Sequence, residues 1–249
     1  MVDKNHKTQF DELLKARGLD GILQESVLLK SIRSIGDAEA YRYDMPDGNA
    51  VLIKTYRKSN WFVKVLVGRH AIRREYRNLS IIHELNVVRV PEPYGMPDKD
   101  TISCEFLTDA TTLKSAMRYD KETMPPKSFF RELIDAIGKL HENRVCHGDL
   151  RRGNLMISTA DHLCVIDVAT ALHCPPSSGP FRRLLFNMLC KSDNYSLAKI
   201  VQSYYPDMMD ETLNGFLEKA PWYLRLGRFL RHNIYRKMRL KHKHPWRNK

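Results

Sequence analysis

The stretch VCHGDLRRGNLMIS, residues 145–158, places a cluster of polar side chains between two apolar runs. It contains a histidine, two arginines and, five positions apart, Asp149 and Asn154. Gly, Asp and Asn are frequent turn residues, so a simple turn is one explanation for this composition. The other explanation is a site where a carboxylate and an amide face the same reacting group. The sequence on either side favours the second explanation.

A second carboxylate follows a short apolar run downstream of this stretch. LCVID, residues 163–167, has the pattern of a buried strand that ends at Asp167. A hairpin connecting Asn154 to Asp167 would bring Asp149 and both of these residues to one end.

A lysine and a glutamate upstream complete the set. Lys54 lies inside the apolar strand AVLIKTY, residues 50–56, and Glu75 lies on the helix predicted after it. A buried charge requires a partner, and Glu75 can supply one through an ion pair. Phosphoryl transfer needs metal ions and a cation on the phosphates together with a carboxylate at the acceptor hydroxyl. Each of these groups has a candidate in this sequence.

The order of the remaining segments predicts an α+β fold with two lobes. After a short helix that stops at Gly18, the first half has the pattern β-β-β-α-β-β, with the turn PDGN and the helix RHAIRREYRNLSIIHEL. The second half is mainly helical, in the segments TTLKSAMRYD, SFFRELIDAIGKLHENR, FRRLLFNML and DNYSLAKIVQSYY. We therefore expect a small antiparallel-sheet N-lobe at 1–107, a helical C-lobe at 108–221 and a separate tail at 222–249.

Composition restricts the environment of the chain. Its 249 residues are 43% hydrophobic and include five cysteines without a C-x-x-C pair, which argues against a disulfide framework and favours a reducing compartment. The first residues lack the apolar centre of a signal peptide, and no apolar run approaches the length of a membrane-spanning helix. We expect a cytoplasmic protein, with a peripheral location on the inner face of the cytoplasmic membrane as a further option.

The motif series LIK, REYRNL, HGDLRRGN and VIDVA resembles the protein-kinase-like superfamily, whose catalytic loop has the pattern H-x-D-x-x-x-x-N. In detail it is most similar to the bacterial lipopolysaccharide kinases that phosphorylate Kdo or heptose, and to RIO-type atypical kinases. The resemblance covers roughly residues 27–200. It implies a two-lobed kinase-like fold that uses ATP and Mg²⁺.

The resemblance also assigns roles to individual residues. Asp149 would be the catalytic carboxylate, and Asn154 and Asp167 would hold the metal ion. Lys54 would bind the phosphates of ATP, with Glu75 as its partner on the helix. These are the same residues that the chemistry of phosphoryl transfer selects.

Other parts of the superfamily pattern are altered. Arg151 occupies a position from which such enzymes often place a cation on the transferred phosphate. The glycine-rich phosphate loop is missing, and only Gly36, together with Ser34 and nearby backbone amides, is available for that role. DVA stands in place of D-F-G, and no A-P-E follows. We therefore do not expect a peptide-docking platform.

The tail and the net charge of +12 point to an anionic partner. Residues 220–249 contain no acidic residue, and on a helical projection residues 222–240 separate an apolar side from an arginine-rich side. This pattern is typical of a helix lying on an anionic membrane surface, although the same stripe could pack on the helical lobe. Nucleic acid is the less favoured partner, because no RNP or helix-turn-helix signature accompanies the basic residues.

The sequence thus predicts an ATP- and Mg²⁺-dependent phosphotransferase acting on a hydroxyl of an anionic, membrane-held sugar or glycolipid, such as Kdo or heptose of lipopolysaccharide. Three alternatives remain open. They are a RIO-like protein Ser/Thr kinase, a nucleotide-binding pseudokinase scaffold suggested by the missing glycines, and a small-molecule kinase of the aminoglycoside or choline type. The oligomeric state is left undetermined by the sequence.

Overall fold

The computed structural model describes residues 6–32, 37–115 and 124–218. Its N-terminal part is built on a five-stranded antiparallel sheet with the strand order β1-β2-β3-β5-β4. The strands are β1 Val27–Lys30, β2 Glu39–Asp44, β3 Ala50–Thr55, β4 Pro93–Asp98 and β5 Thr101–Glu105. The turn between β2 and β3 contains Gly48 at φ 89°, as the PDGN sequence predicts.

Helix α1, His6–Glu25, covers part of this sheet. Its buried side chains Phe10 and Ile22 pack in a cluster with tyrosines of β2 and with Tyr94 of β4. Gly18 has φ 69° and interrupts the helix, where the sequence predicted a stop. The segment is thus two helical pieces joined at one glycine.

Three consecutive helical segments connect β3 to β4. The one-turn helix α2, Trp61–Val63, continues into a π-helical turn, Lys64–Gly68, and then into helix α3, Arg69–Leu85. Asn86, the residue after α3, caps the helix and adopts the left-handed conformation at φ 51°. Its apolar side buries Ile72, Leu79 and Ile82, as the periodicity of the sequence predicts.

The C-terminal part is mainly helical. Its helices are α4 Lys127–Glu142, α5 Pro180–Tyr204 and α6 Glu211–Glu218, with 3₁₀ turns at Val168–Thr170 and Pro206–Met208. Short strands form a three-stranded sheet from β6 Ala110–Thr112, β8 Leu155–Ser158 and β9 Leu163–Val165, and a two-stranded one from β7 Val145–Cys146 and β10 Leu172–His173. The core forms around α4, whose Phe130, Leu133, Ile137 and Leu140 are fully buried.

The predicted α+β class, with an antiparallel-sheet N-lobe and a mainly helical C-lobe, is confirmed. The lobe boundaries 1–107 and 108–221 remain a prediction, and the tail at 222–249 lies outside the described residues. In the ranges that the structure describes, no helix has both the length and the apolar character needed to cross a bilayer.

Three local predictions were wrong. Thr111 and Thr112 were assigned to a helix but pair with Ile157 and Met156 in strand β6, which suits β-branched residues. The helices predicted at FRRLLFNML and DNYSLAKIVQSYY form the single helix α5, because no Gly or Pro separates them. The strand predicted at 163–167 ends at Val165, and a 3₁₀ turn follows at Val168–Thr170.

Candidate active site

The side chain of Lys54 projects from the middle strand of the N-terminal sheet toward Glu75 of helix α3. Lys54 pairs with Ala40 on one side and Ile102 on the other, and its Nζ donates a hydrogen bond to Oε1 of Glu75. Burial alone would lower the pKa of Lys54, but the carboxylates of Glu75 and Asp167 raise it above its usual range. The ammonium group therefore stays charged at physiological pH and is available to phosphate oxygens.

Close packing at the start of α3 fixes the position of Glu75. Gly68 lies against Tyr56, which follows strand β3, and a Cβ atom at Gly68 would lie 2.7 Å from Cγ of that tyrosine. Only glycine allows this approach without a shift of the ring. The helix is thereby held next to the strand that carries Lys54.

The hairpin of β8 and β9 brings Asn154 and Asp167 to the same end. Leu155 pairs with Val165, and the backbone N–H of Ile166 donates to the carbonyl oxygen of Asn154 at 3.0 Å. Asp167, just after the hairpin, has φ 60° and ψ 59°, a left-handed conformation that Asp and Asn adopt more readily than most residues. The predicted hairpin is thus present, and it brings Asn154 and Asp167 to one end as expected.

Asp149 is joined to this end by side-chain contacts. Nδ2 of Asn154 donates to the carbonyl oxygen of Asp149 at 3.0 Å and to its Oδ2 at 3.2 Å. Nε of Arg151 lies 2.9 Å from the same Oδ2, and a guanidinium nitrogen of Arg151 lies 3.7 Å from Oδ2 of Asp167. One arginine thus bridges two carboxylates, and the donor interactions of Asn154 leave its Oδ1 as a candidate metal ligand.

Asp193 of helix α5 binds the backbone of the loop that carries Asp149, a feature that the sequence analysis missed. Its carboxylate is fully buried and accepts backbone hydrogen bonds from His147 at 2.7 Å and Gly148 at 2.9 Å. The segment KSDNYS, which contains Asp193, lies in the interior of α5. A lone carboxylate on an otherwise apolar helical face was the available signal, because such a group must find donors inside the fold.

Two neighbouring residues of the loop are also constrained. His147 is buried, and its Nε2 lies 3.2 Å from the carbonyl oxygen of Ile166, so the ring connects the loop to the hairpin. Gly148 has φ 79°, and a Cβ atom there would lie 2.7 Å from the carbonyl oxygen of Thr170. These contacts place Asp149 on a rigid support.

Five of the polar side chains described above line a cleft of about 630 Å³ between the sheet and the hairpin. Its polar wall contains Lys54, Glu75, Arg151, Asn154 and Asp167, and its apolar wall includes Leu52, Leu79, Met156 and Ile166. This volume lies in the usual range for small-molecule sites, and apolar side chains are suited to a nucleobase. The predicted phosphate-loop residues Ser34 and Gly36 lie outside the described residues.

The donor set agrees with Mg²⁺. Asn154 and Asp167 offer oxygen atoms, which are the ligands that this ion prefers. In the described ranges no cluster of three or more His, Cys, Asp or Glu side chains is arranged to hold a metal ion. Magnesium commonly binds through one or two side chains plus the phosphates of a nucleotide, so the phosphates would complete its shell.

The fold and the cleft define a protein of the protein-kinase-like class. The chain belongs to the RIO domain family, whose sequence profile matches residues 41–183, more than half of the chain. Membership of this family implies the use of ATP and Mg²⁺, and the donor set of the cleft is compatible with both.

Curated relatives support the same superfamily. The chain is 25% identical over 175 residues to the CBL-interacting serine/threonine-protein kinase 21 of Arabidopsis thaliana, covering 69% of this chain and 40% of the relative. It is 28% identical over 155 residues to kinase 24 of the same group and organism, covering 62% and 33%. The probable serine/threonine-protein kinase glkA of Dictyostelium discoideum is 25% identical over 146 residues, covering 56% and 29%.

The chain thus spans 40% or less of the length of these relatives. The matches support the broad part of the resemblance, the kinase-like superfamily with its RIO members. The narrower likeness to lipopolysaccharide kinases stays a prediction.

Proposed function

We propose that this chain transfers the γ-phosphoryl group of ATP to a hydroxyl group. The observation that carries the proposal is the meeting of Asn154, Asp167 and Arg151 opposite Lys54 in one cleft, with Asp149 in contact with Asn154 and Arg151. Phosphoryl transfer depends mainly on positioning and electrostatic stabilisation, and these groups supply both.

Each group has a distinct task in the proposed reaction. Asp149 orients the acceptor hydroxyl and takes its proton as the new oxygen–phosphorus bond forms. The bond from the γ-phosphorus to its bridging oxygen breaks, and ADP leaves. Lys54, fixed by Glu75, neutralises phosphate oxygens of the nucleotide.

The negative charge at the transferred phosphate requires two further contributions. Asn154 and Asp167 would hold Mg²⁺, which neutralises phosphate charge when bound. Arg151 is more than half exposed and contacts both Asp149 and Asp167, so it can turn toward a phosphoryl group without disturbing the core.

For the acceptor we propose an anionic, membrane-held glycolipid, with the Kdo or heptose of lipopolysaccharide as the first candidate. Only the twelve residues 168–179 separate Asp167 from helix α5, and this short segment supports an acceptor other than a docked peptide. The net charge of +12 favours an anionic acceptor. On this proposal the protein works in the cytoplasm at the inner face of the cytoplasmic membrane, with residues 222–249 against the lipid.

The family match supports a second candidate, a protein Ser/Thr kinase of the RIO type. The relatives described above are named serine/threonine-protein kinases, which favours a protein hydroxyl as acceptor. The polar groups of the cleft serve either acceptor equally well, because both present an alcohol.

Transfer of radiolabelled γ-phosphate from ATP with Mg²⁺ separates these candidates. The acceptors are a lipid A–Kdo glycolipid in anionic vesicles and a delipidated protein mixture, with Asp149→Asn as the inactive reference and Asp161→Asn as a surface control. Label in the glycolipid that the Asp149 variant loses supports the sugar kinase. Label only in protein supports the RIO-type kinase, and nucleotide binding without any label contradicts both and favours a pseudokinase.

A further inference from the structure

The helical segments before α3 expose an unusual group of large apolar side chains. Trp61, Phe62, Leu66 and Val67 have exposed fractions of 64%, 64%, 73% and 43%. The rings of Trp61 and Phe62 are in edge contact, with centroids 4.8 Å apart. We call these four residues the 61–67 patch. Neighbouring exposed apolar groups of this kind mark interaction sites more often than isolated ones do.

Positive charge surrounds the patch in the sequence. Residues 56–74 contain six Lys and Arg side chains and no Asp or Glu. Arg57, Lys58 and Arg69 form ion pairs with Asp20, Glu39 and Asp100, respectively. Arg73 and Arg74, further along the same helical run, are exposed, and Lys64 lies between the two halves of the patch.

The charge of the patch restricts what can cover it. Residues 222–249 of the same chain carry ten Lys and Arg side chains and no acidic residue, so their charge has the same sign. A second copy of the chain would present equally cationic surface at this place. An anionic occupant is favoured over both, because like charges repel when they are brought together.

We propose that the 61–67 patch binds the surface of an anionic lipid bilayer. Trp61 and Phe62 enter the interfacial region, Leu66 and Val67 enter beside them, and Lys64 faces the lipid phosphates. Tryptophan with aliphatic and basic neighbours on one helical segment is the composition of interfacial membrane anchors. This inference rests on exposure and charge alone and does not depend on the proposed function.

Binding of the 61–67 patch to a membrane would constrain the helical run that presents Glu75 to the cleft. Helices α2 and α3 and the π-helical turn form one uninterrupted run, in which Glu75 follows Leu66 by nine residues. At the rise of an α-helix this separation is about 14 Å along the axis. A membrane contact at the patch therefore holds the same helical run that presents Glu75 to Lys54.

The test uses the full chain with Trp222→Phe and Trp246→Phe, so that Trp61 is the only tryptophan. We expect its fluorescence to shift to the blue with vesicles of phosphatidylcholine and phosphatidylglycerol, and brominated acyl chains to quench it. Vesicles of phosphatidylcholine alone should produce a much smaller change. Unchanged Trp61 emission while the protein sediments with anionic vesicles would overturn the proposal, since the lipid contact would then lie elsewhere in the chain.

Substitutions supply a second measurement. The double variant Trp61→Ser, Phe62→Ser should reduce the vesicle partition coefficient of the full chain by roughly tenfold. The matched control is Phe181→Ser, Leu184→Ser, which removes two equally exposed apolar side chains from α5. Thermal melts confirm that both variants fold. Equal losses in the two variants, or no binding of the parent chain to anionic vesicles, would contradict the proposal.

Discussion

The buried carboxylate of Asp193 accepts a hydrogen bond from the backbone N–H of His147 at 2.7 Å, and this contact ties helix α5 to the loop that carries Asp149. A second bond from the N–H of Gly148 satisfies the other carboxylate oxygen. The loop therefore owes its shape to a residue more than forty positions away in the sequence. The support of the loop thus comes from a distant helix, whereas its reactive side chains lie within its own sequence.

Replacing Asp193 by Asn tests this support. The amide can accept only one of the two backbone bonds and turns its own donors toward the second N–H, so we expect a loss of about 1–3 kcal/mol in the free energy of unfolding. Urea denaturation measures the loss. Asp135→Asn removes an exposed helix pair with Lys139 and should cost no more than about 0.5 kcal/mol. Similar values for the two variants would show that Asp193 does not hold the loop.

The conformation of Gly148 leads to a second prediction. Gly148→Ala adds a Cβ atom that would lie 2.7 Å from the carbonyl oxygen of Thr170, on top of the strain of a positive φ. Gly48→Ala is the matched control, because Gly48 also has a positive φ but open space around it. We expect the control to lose about 1 kcal/mol of unfolding free energy and Gly148→Ala to lose at least twice that. Equal thermal shifts would contradict the predicted clash.

Asp167→Asn should remove the effect of Mg²⁺ on nucleotide binding. Asparagine tolerates the left-handed conformation of this position, so the substitution changes the charge and preserves the backbone. Calorimetry should show that Mg²⁺ strengthens ATP binding to the parent chain and has little effect in the variant. Asp161→Asn, at a position with φ 61° outside the cleft, should behave like the parent. Retained Mg²⁺ dependence in Asp167→Asn would assign the metal to other residues.

The cysteines should differ sharply in reactivity. Contact with the Cys146 thiol and with His141 lowers the pKa of Cys190, whereas burial raises the pKa of Cys104 to about 12. Since the thiolate is the reactive form, alkylation at neutral pH should label Cys190 long before Cys104. The labelling rate of Cys190 should level off at a lower pH than that of an ordinary thiol, because its pKa is lowered. Peptide mapping after timed alkylation measures this order, and faster labelling of Cys104 would contradict it.

The sequence predicted the reactive residues of the site better than the residues that hold them in place. Lys54, Asp149, Asn154 and Asp167 were identified because their side chains are those that phosphoryl transfer requires, and strand order brings them together. Asp193 was missed because the backbone groups that it binds belong to a distant loop, so the local sequence shows only a carboxylate on an apolar helical face and not what that carboxylate holds. Strand β6 was taken for helix because its pairing with β8 is a tertiary contact that overrides local preference.

The direct test of the central claim compares the rate of γ-phosphoryl transfer from ATP with Mg²⁺ by the parent chain and by Asp149→Asn. Both are assayed with whichever acceptor, the glycolipid or the protein mixture, gives the higher rate. A carboxylate that takes the acceptor proton contributes roughly 10²–10⁴-fold to such a rate. The account predicts a loss of that size, with ATP binding retained because Lys54 and Asp167 are intact. Transfer at the full parental rate by Asp149→Asn would contradict it.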